Sequence, residues 1–159
     1  MNTFFSLHKK TLFALIVLFS VFLFFYFTKN RAEYSFEQYS TIDVVLPNDY
    51  TIVAYRATTQ ETREKGLSGT TYLASHDGMI FEFPYENLWY FWMKDMLIPI
   101  DIVWISKDMT VVHIEQKVHP NTYPHSFGPP SNALYVLELA SGISEKTNLK
   151  VGDKIYFSD

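Results

Sequence analysis

The chain alternates between two kinds of apolar pattern. One unbroken run, LFALIVLFSVFLFFYF at residues 12–27, has Ser20 as its only clearly polar residue. With Thr11 and Thr28 it reaches about 18 residues, or roughly 27 Å of helix at 1.5 Å per residue, enough to cross a bilayer core. After it the pattern shortens. TIDVVL (41–46) and YTIVAYRA (50–57) alternate with a period of two and are separated by the turn cluster Pro47-Asn48-Asp49. Thr58-Thr59-Gln60-Glu61 fits a capping box with Thr58 as N-cap and Glu61 reaching back, which predicts a short helix over TQETREK. Gly66 then stands where a left-handed C-cap is needed. GMIFEFP (78–84) predicts a strand with Met79, Phe81 and Phe83 on one face and Ile80 and Glu82 on the other.

Further strands are predicted for LWYFWMK, IPIDIVWIS, MTVVHIEQKV, ALYVLEL and VGDKIYF, with SGISEKTNL as a short helix or turn. Pro99 is tolerated at the start of its strand. Residues 119–132, HPNTYPHSFGPPSN, hold four prolines and form a long surface loop of the kind that often carries function. Seven or eight short strands with one or two short helices predict a mainly β, α+β domain: a compact antiparallel barrel-like or sandwich domain behind an N-terminal transmembrane helix. The expected domain organisation is a cytoplasmic head at 1–10, a transmembrane signal anchor at 11–28, a tether at 29–40 and an extracytoplasmic β domain at 41–159.

The anchor competes with a cleaved signal peptide, which should end in small residues. Here the exit reads FFYFTKNRAEYS, so the segment is expected to be retained. Lys9 and Lys10 before it and Lys29 and Arg31 after it give a thin charge bias. The usual export geometry of a short basic head places the N-terminus inside, and the domain outside, of a cell membrane crossed once.

Charge narrows the partners. Of 13 Lys and Arg, four precede residue 41, and of 17 Asp and Glu, two do, so the domain carries 9 against 15 and a net charge near −6. That argues against nucleic acid, which needs a basic face, and against docking on anionic lipid. With no cysteine, the core alone must hold the domain. His76, His113, His119 and His125 show no metal-binding spacing, and no nucleophile or nucleotide motif is present, so neither metal nor cofactor is expected.

The stretch FWMKDMLIPIDIVWIS (91–106) holds charges inside an apolar run. As a hairpin bent near Leu97-Ile98, it sets Lys94 opposite Asp101, either as a cross-strand ion pair at a sheet edge or as part of a cleft floored by Phe91, Trp92 and Trp104. Glu82 lies opposite the apolar face of its strand and is expected to be solvated. Glu138 interrupts VLELASG, where a half-buried carboxyl would accept backbone N–H bonds or pair with Asp101. Such a pair would suit glycoside chemistry.

TTQETREKGL, HDGMIFEF, FWMKDMLIPIDIVWI, YVLELASG and LKVGDKI, in that order, resemble the bacterial and archaeal family called domain of unknown function 192, over about residues 50–157. The resemblance implies a compact, mainly β single domain, often exported or anchored, and places the family's glutamate at Glu138. It implies no activity. The chain departs from the family pattern at Ser68 and Thr70, where Met and Arg are usual, and at Asp95-Met96, where Asn-Thr is usual. The expected function is a membrane-anchored binding or accessory domain. Its aromatic and acidic cleft uses Trp92, Lys94, Asp101 and Trp104, with the loop 119–132, to hold a small-molecule, carbohydrate or peptide ligand. The alternatives are a hydrolase using Asp101 and Glu138, and a structural envelope module, which would have no cleft.

Overall fold

The computed structural model describes residues 17–21 and 36–158. The chain divides into two units, Met1–Glu33 and Tyr34–Asp159. In the first, residues 17–21 are helical. The transmembrane anchor expected over 11–28 lies mostly outside the described residues. Among the described residues no helix is long and apolar enough to cross a membrane.

The second unit is built on a seven-stranded sheet. Its strands, in chain order, are β1 (Thr41–Leu46), β2 (Tyr50–Ala57), β3 (Asp77–Asn87), β5 (Ile100–Ile105), β6 (Val111–Val118), β8 (Ala133–Ala140) and β9 (Tyr156–Ser158). They lie in the order β6-β5-β8-β3-β2-β1-β9. Two short strands, β4 (Phe91–Trp92) and β7 (Ser126–Phe127), form a separate antiparallel pair. Helix α1 (Gln60–Lys65) joins β2 to β3, and α2 (Ile143–Lys146) follows β8.

The expectation of an antiparallel barrel or sandwich needs correcting. The sheet is mixed, because β2 and β3 run parallel, and it is not closed. Parallel neighbours require a crossover, and the segment carrying α1 supplies it. The segments beside the outer strands meet through an isolated bridge, Thr110 to Lys154, and through backbone hydrogen bonds of Val111 with Gly152 and Asp153.

Period-two alternation divides the core between the two faces. One face buries Met79, Phe81, Ile100, Ile102, Trp104 and Val136. The other buries Val44, Ile52, Ile80, Val103, Leu137 and Leu139. All six residues of β5 are fully buried, as expected for a strand covered on both sides.

Helix α1 begins one residue later than predicted. Thr59 is its N-cap, accepting from the Thr62 N–H, while the Thr62 hydroxyl accepts from the Thr59 N–H in return. The reciprocal box therefore uses two threonines, and Glu61 has no part in it. Gly66 ends the helix at φ 48°, ψ −139°, a positive φ as expected, although outside the left-handed helical region.

Candidate functional site

The hairpin expected over 91–106 does not form. Only Phe91 and Trp92 are extended in its first arm, and they pair with β7. Strand β5 pairs instead with β6 and β8, which sets Asp101 opposite Leu139. Lys94 is exposed, with its Nζ 5.9 Å from the Trp92 ring centroid. The proposed Lys94–Asp101 pair is therefore absent. An apolar run gives its residues a direction but not a partner strand, and two longer ladders outcompete a local hairpin here.

Asp101 is fully buried and its two oxygens share four donors. Oδ1 accepts from the N–H groups of Lys117 (2.8 Å) and Gly142 (3.0 Å). Oδ2 accepts from the N–H (2.9 Å) and hydroxyl (2.7 Å) of Ser144. Gly142 and Ser144 lie at the start of α2, whose first N–H groups have no partner within so short a helix. Asp101 thus ties β5 to β6 and α2.

Glu138 has the opposite environment. Its neighbours across the ladders are Met79 on β3 and Ile102 on β5, both in the apolar cluster of that face. Its side chain is 5% exposed, and Oε2 has no hydrogen-bond partner. Loss of hydration penalises the charged form, and burial pushes the Glu138 carboxyl up to about 8 from the ordinary 4.5. Glu138 accepts no backbone N–H, contrary to one expectation. It does not meet Asp101 either. Asp101 shares its face with Leu139 and Glu138 shares the other with Ile102, so the two carboxyls do not look into one cavity.

Glu138 lines a cleft of about 750 Å³. Phe81 and Phe83 from β3, with Trp89, Tyr90, Phe91 and Trp92 from the segment after it, give the cleft its aromatic walls. The rings support one another: Phe83 stacks on Trp89 at 3.9 Å and 10°, and Phe91 meets Phe81 edge-on at 4.8 Å. The Arg63 guanidinium lies 5.4 Å from the Phe83 centroid and donates to the carbonyls of Thr58 (2.6 Å) and Glu82 (2.9 Å). The end of α1 and the loop after it, from Arg63 to Gly69, close the opposite side. That side is tied to the 93–96 turn by Gly69 N–H to Asp95 O (2.9 Å) and Ser68 Oγ to Lys94 O (3.1 Å). Trp89 also carries a buried indole N–H without a partner.

Of the residues expected at the site, Trp92 and Lys94 line the cleft and Glu138 lines it as well. Trp104 is fully buried behind the wall, edge-on to Phe91 at 6.1 Å, with its Nε1–H donated to Trp89 O at 2.7 Å. Asp101 belongs to the other face. The loop 119–132 backs the wall through β7 and through Tyr123, which packs on Trp92 at 5.9 Å. Glu82 is not merely solvated, since it pairs with Arg56 at 2.6 Å. Sequence reasoning missed Arg63, Phe81, Phe83 and Trp89 as cleft residues. The shared parity of Met79, Phe81 and Phe83 was the available signal. Three of the four positions that depart from the family pattern, Ser68, Asp95 and Met96, line the cleft. Among the described residues no cluster of three or more His, Cys, Asp or Glu is placed to hold a metal ion.

Residues 44–157 match the family described as Uncharacterized ACR, domain of unknown function 192. No curated protein matches the chain. Among solved structures, a protein of unknown function from Novosphingobium aromaticivorans DSM 12444 is 26% identical, with a TM-score of 0.72 over 79% of this chain and 91% of that one. A candidate transcription regulator from Sinorhizobium meliloti 1021 is 24% identical, with a TM-score of 0.71 over 75% of this chain and 95% of that one, and shows the same fold.

Proposed function

The chain belongs to the family called domain of unknown function 192, and on that footing we propose that its globular unit is a ligand-binding domain whose ligand sits over Glu138. One observation carries the reading: a carboxyl that is nine-tenths buried, without a partner for Oε2, is among the residues that line an aromatic cleft. Burying such a group costs several times what a satisfied polar group costs, and a purely structural sheet would place a leucine or methionine there. Aromatic walls with a few convergent polar groups are the general design of small-molecule sites.

The alternative of an Asp101–Glu138 hydrolase lacks its geometric requirement, because the two side chains lie on opposite faces. A structural module would have no need of the cleft. We further propose that the apolar run at 12–27 holds this domain to a membrane, with the domain outside the cytoplasm. Its support is the length of the run and the bulky residues that follow it.

The test is a fragment screen on the full-length chain, read by NMR at the indole N–H resonances of Trp89 and Trp92. Ser68→Trp should fill the mouth of the cleft without disturbing the sheet. Fragments should shift the two resonances in the parent and leave them unmoved in Ser68→Trp. Equal shifts in both proteins, or none in either, would remove the cleft as a binding site.

A further inference from the structure

We infer that the cleft takes an organic cation, with an ammonium head against Glu138 and an apolar body along the aromatic walls. This rests on the reading of the cleft as a ligand site and names the class of its ligand.

An ionised carboxyl away from water needs a positive partner, and none is present among the described residues. Among the described residues four Lys or Arg side chains pair with carboxylates and His113 meets Glu115, and Glu138 is in none of these contacts. Its flanking residues on β3 and β5 are Met79 and Ile102.

The walls point the same way. Phe81, Phe83, Trp89 and Phe91 line the cleft together with Glu138, and aromatic rings attract cations rather than anions. The charged groups that face the cleft are Arg63, Glu64 and Lys65 from α1 and Lys94 and Asp95 from the turn after β4. Arg63 is committed to two backbone carbonyls, and Lys94 rests over Trp92. Lys65 Nζ lies beside Gly69. A cation meets aromatic rings and a carboxyl that becomes its counter-charge on losing its proton, whereas an anion gains no counter-charge from either. The domain's net charge near −6 also draws cations toward it.

The empty cleft holds Glu138 protonated at neutral pH, since burial raises it to about 8. An ammonium head displaces that proton to solvent, one per ligand bound. Affinity then rises close to tenfold per pH unit below about 8, because only the ionised carboxylate pairs with the cation.

The probes are benzylammonium, benzyl alcohol and benzoate, which share a ring and differ in the head. Each is titrated into the full-length chain between pH 6 and 8, with the indole N–H resonances as readout. Benzylammonium keeps its own proton across this range. It should bind tightest, gain close to tenfold per pH unit, and lose both the binding and the pH dependence in Glu138→Gln. Titration of the parent protein in two buffers of different ionisation enthalpy should report one proton released. That measurement decides the matter if Glu138→Gln fails to fold. Tighter binding of benzyl alcohol or benzoate would overturn the cation while keeping the ligand cleft. No response to any of the three would overturn both. Benzylammonium binding that ignores pH and survives Glu138→Gln would remove Glu138 as its partner.

Discussion

Asp101→Asn is expected to destabilise the domain by about 3 kcal/mol. The carboxylate receives two donors on each oxygen, three of them backbone N–H groups that cannot turn away. Asparagine keeps one acceptor and replaces the other with an NH2 donor. Its better orientation keeps the oxygen toward Lys117 and Gly142. The Ser144 hydroxyl can then reverse and accept, but the Ser144 N–H is left facing another donor. One orphaned buried N–H costs about 1–3 kcal/mol, and the surviving bonds lose the charge assistance that roughly doubles their strength. Urea unfolding followed by tryptophan fluorescence is a suitable assay, since Trp104 is fully buried in the same core strand as Asp101. At an m-value of about 2 kcal/mol/M the midpoint should fall by roughly 1.5 M, with m unchanged. Salt should not relieve the loss, because the partners are peptide dipoles and a hydroxyl. A loss under about 1 kcal/mol that disappears in about 0.5 M salt is the behaviour of an exposed ion pair, and would refute this account of Asp101.

Three other outcomes follow from the geometry. Glu138 binds a proton more tightly when folded, so its contribution to stability is greatest below the unfolded value of 4.5 and falls as pH rises toward about 8, by up to about 1.4 kcal/mol per unit. Glu138→Gln should flatten that slope and stabilise the protein at pH 8, as read from urea midpoints at pH 5, 6.5 and 8; a parent protein with no slope in this window would mean that the carboxyl is hydrated. Gly66→Ala should cost about 1–2 kcal/mol in the same assay, because φ is +48° and the new Cβ would stand 3.3 Å from Phe81 Cζ. Gly78→Ala should cost about 1–3 kcal/mol, since its Cβ would lie 2.8 Å from Glu138 O and 2.9 Å from Ile52 Cγ2, and a neutral result would show that β3 and β8 can separate freely.

What the residues reveal about this fold depends on how local the information is. Alternation in TIDVVL, YTIVAYRA and GMIFEFP is a property of single strands, and those strands stand where the pattern puts them. Pairing is not local. The run from Phe91 to Ile105 reads as a hairpin, yet Ile100–Ile105 is fully buried between β6 and β8, partners that lie 11 and 33 residues farther along at their first positions. The parallel pairing of β2 and β3 had a signal in the strand–helix–strand order around TQETREK, which favours a crossover over a hairpin. Asp101 and Glu138 both stand out as charges in apolar runs. Their opposite fates depend on which backbone N–H groups happen to arrive, and those come from α2 and β6, far away in sequence.

The two carboxyls lie on adjacent central strands, so the same rigid ladder holds them, and the difference between them lies in what each faces. Strand β8 is bonded on both sides, to β3 and β5, which fixes the Glu138 backbone before any ligand arrives. A ligand that engages Glu138 therefore spends little free energy on ordering the floor. The walls are less regular: the loop after α1 and the segment from Leu88 to Met96 contain two strand residues between them and are joined through residues 68–69 and 94–95. Changes there can reshape the mouth while the ladder under Glu138 stays intact. On the proposed reading, this division of labour makes the chemistry at Glu138 a property of the sheet, and the choice among ligands of that chemistry a property of the two loops.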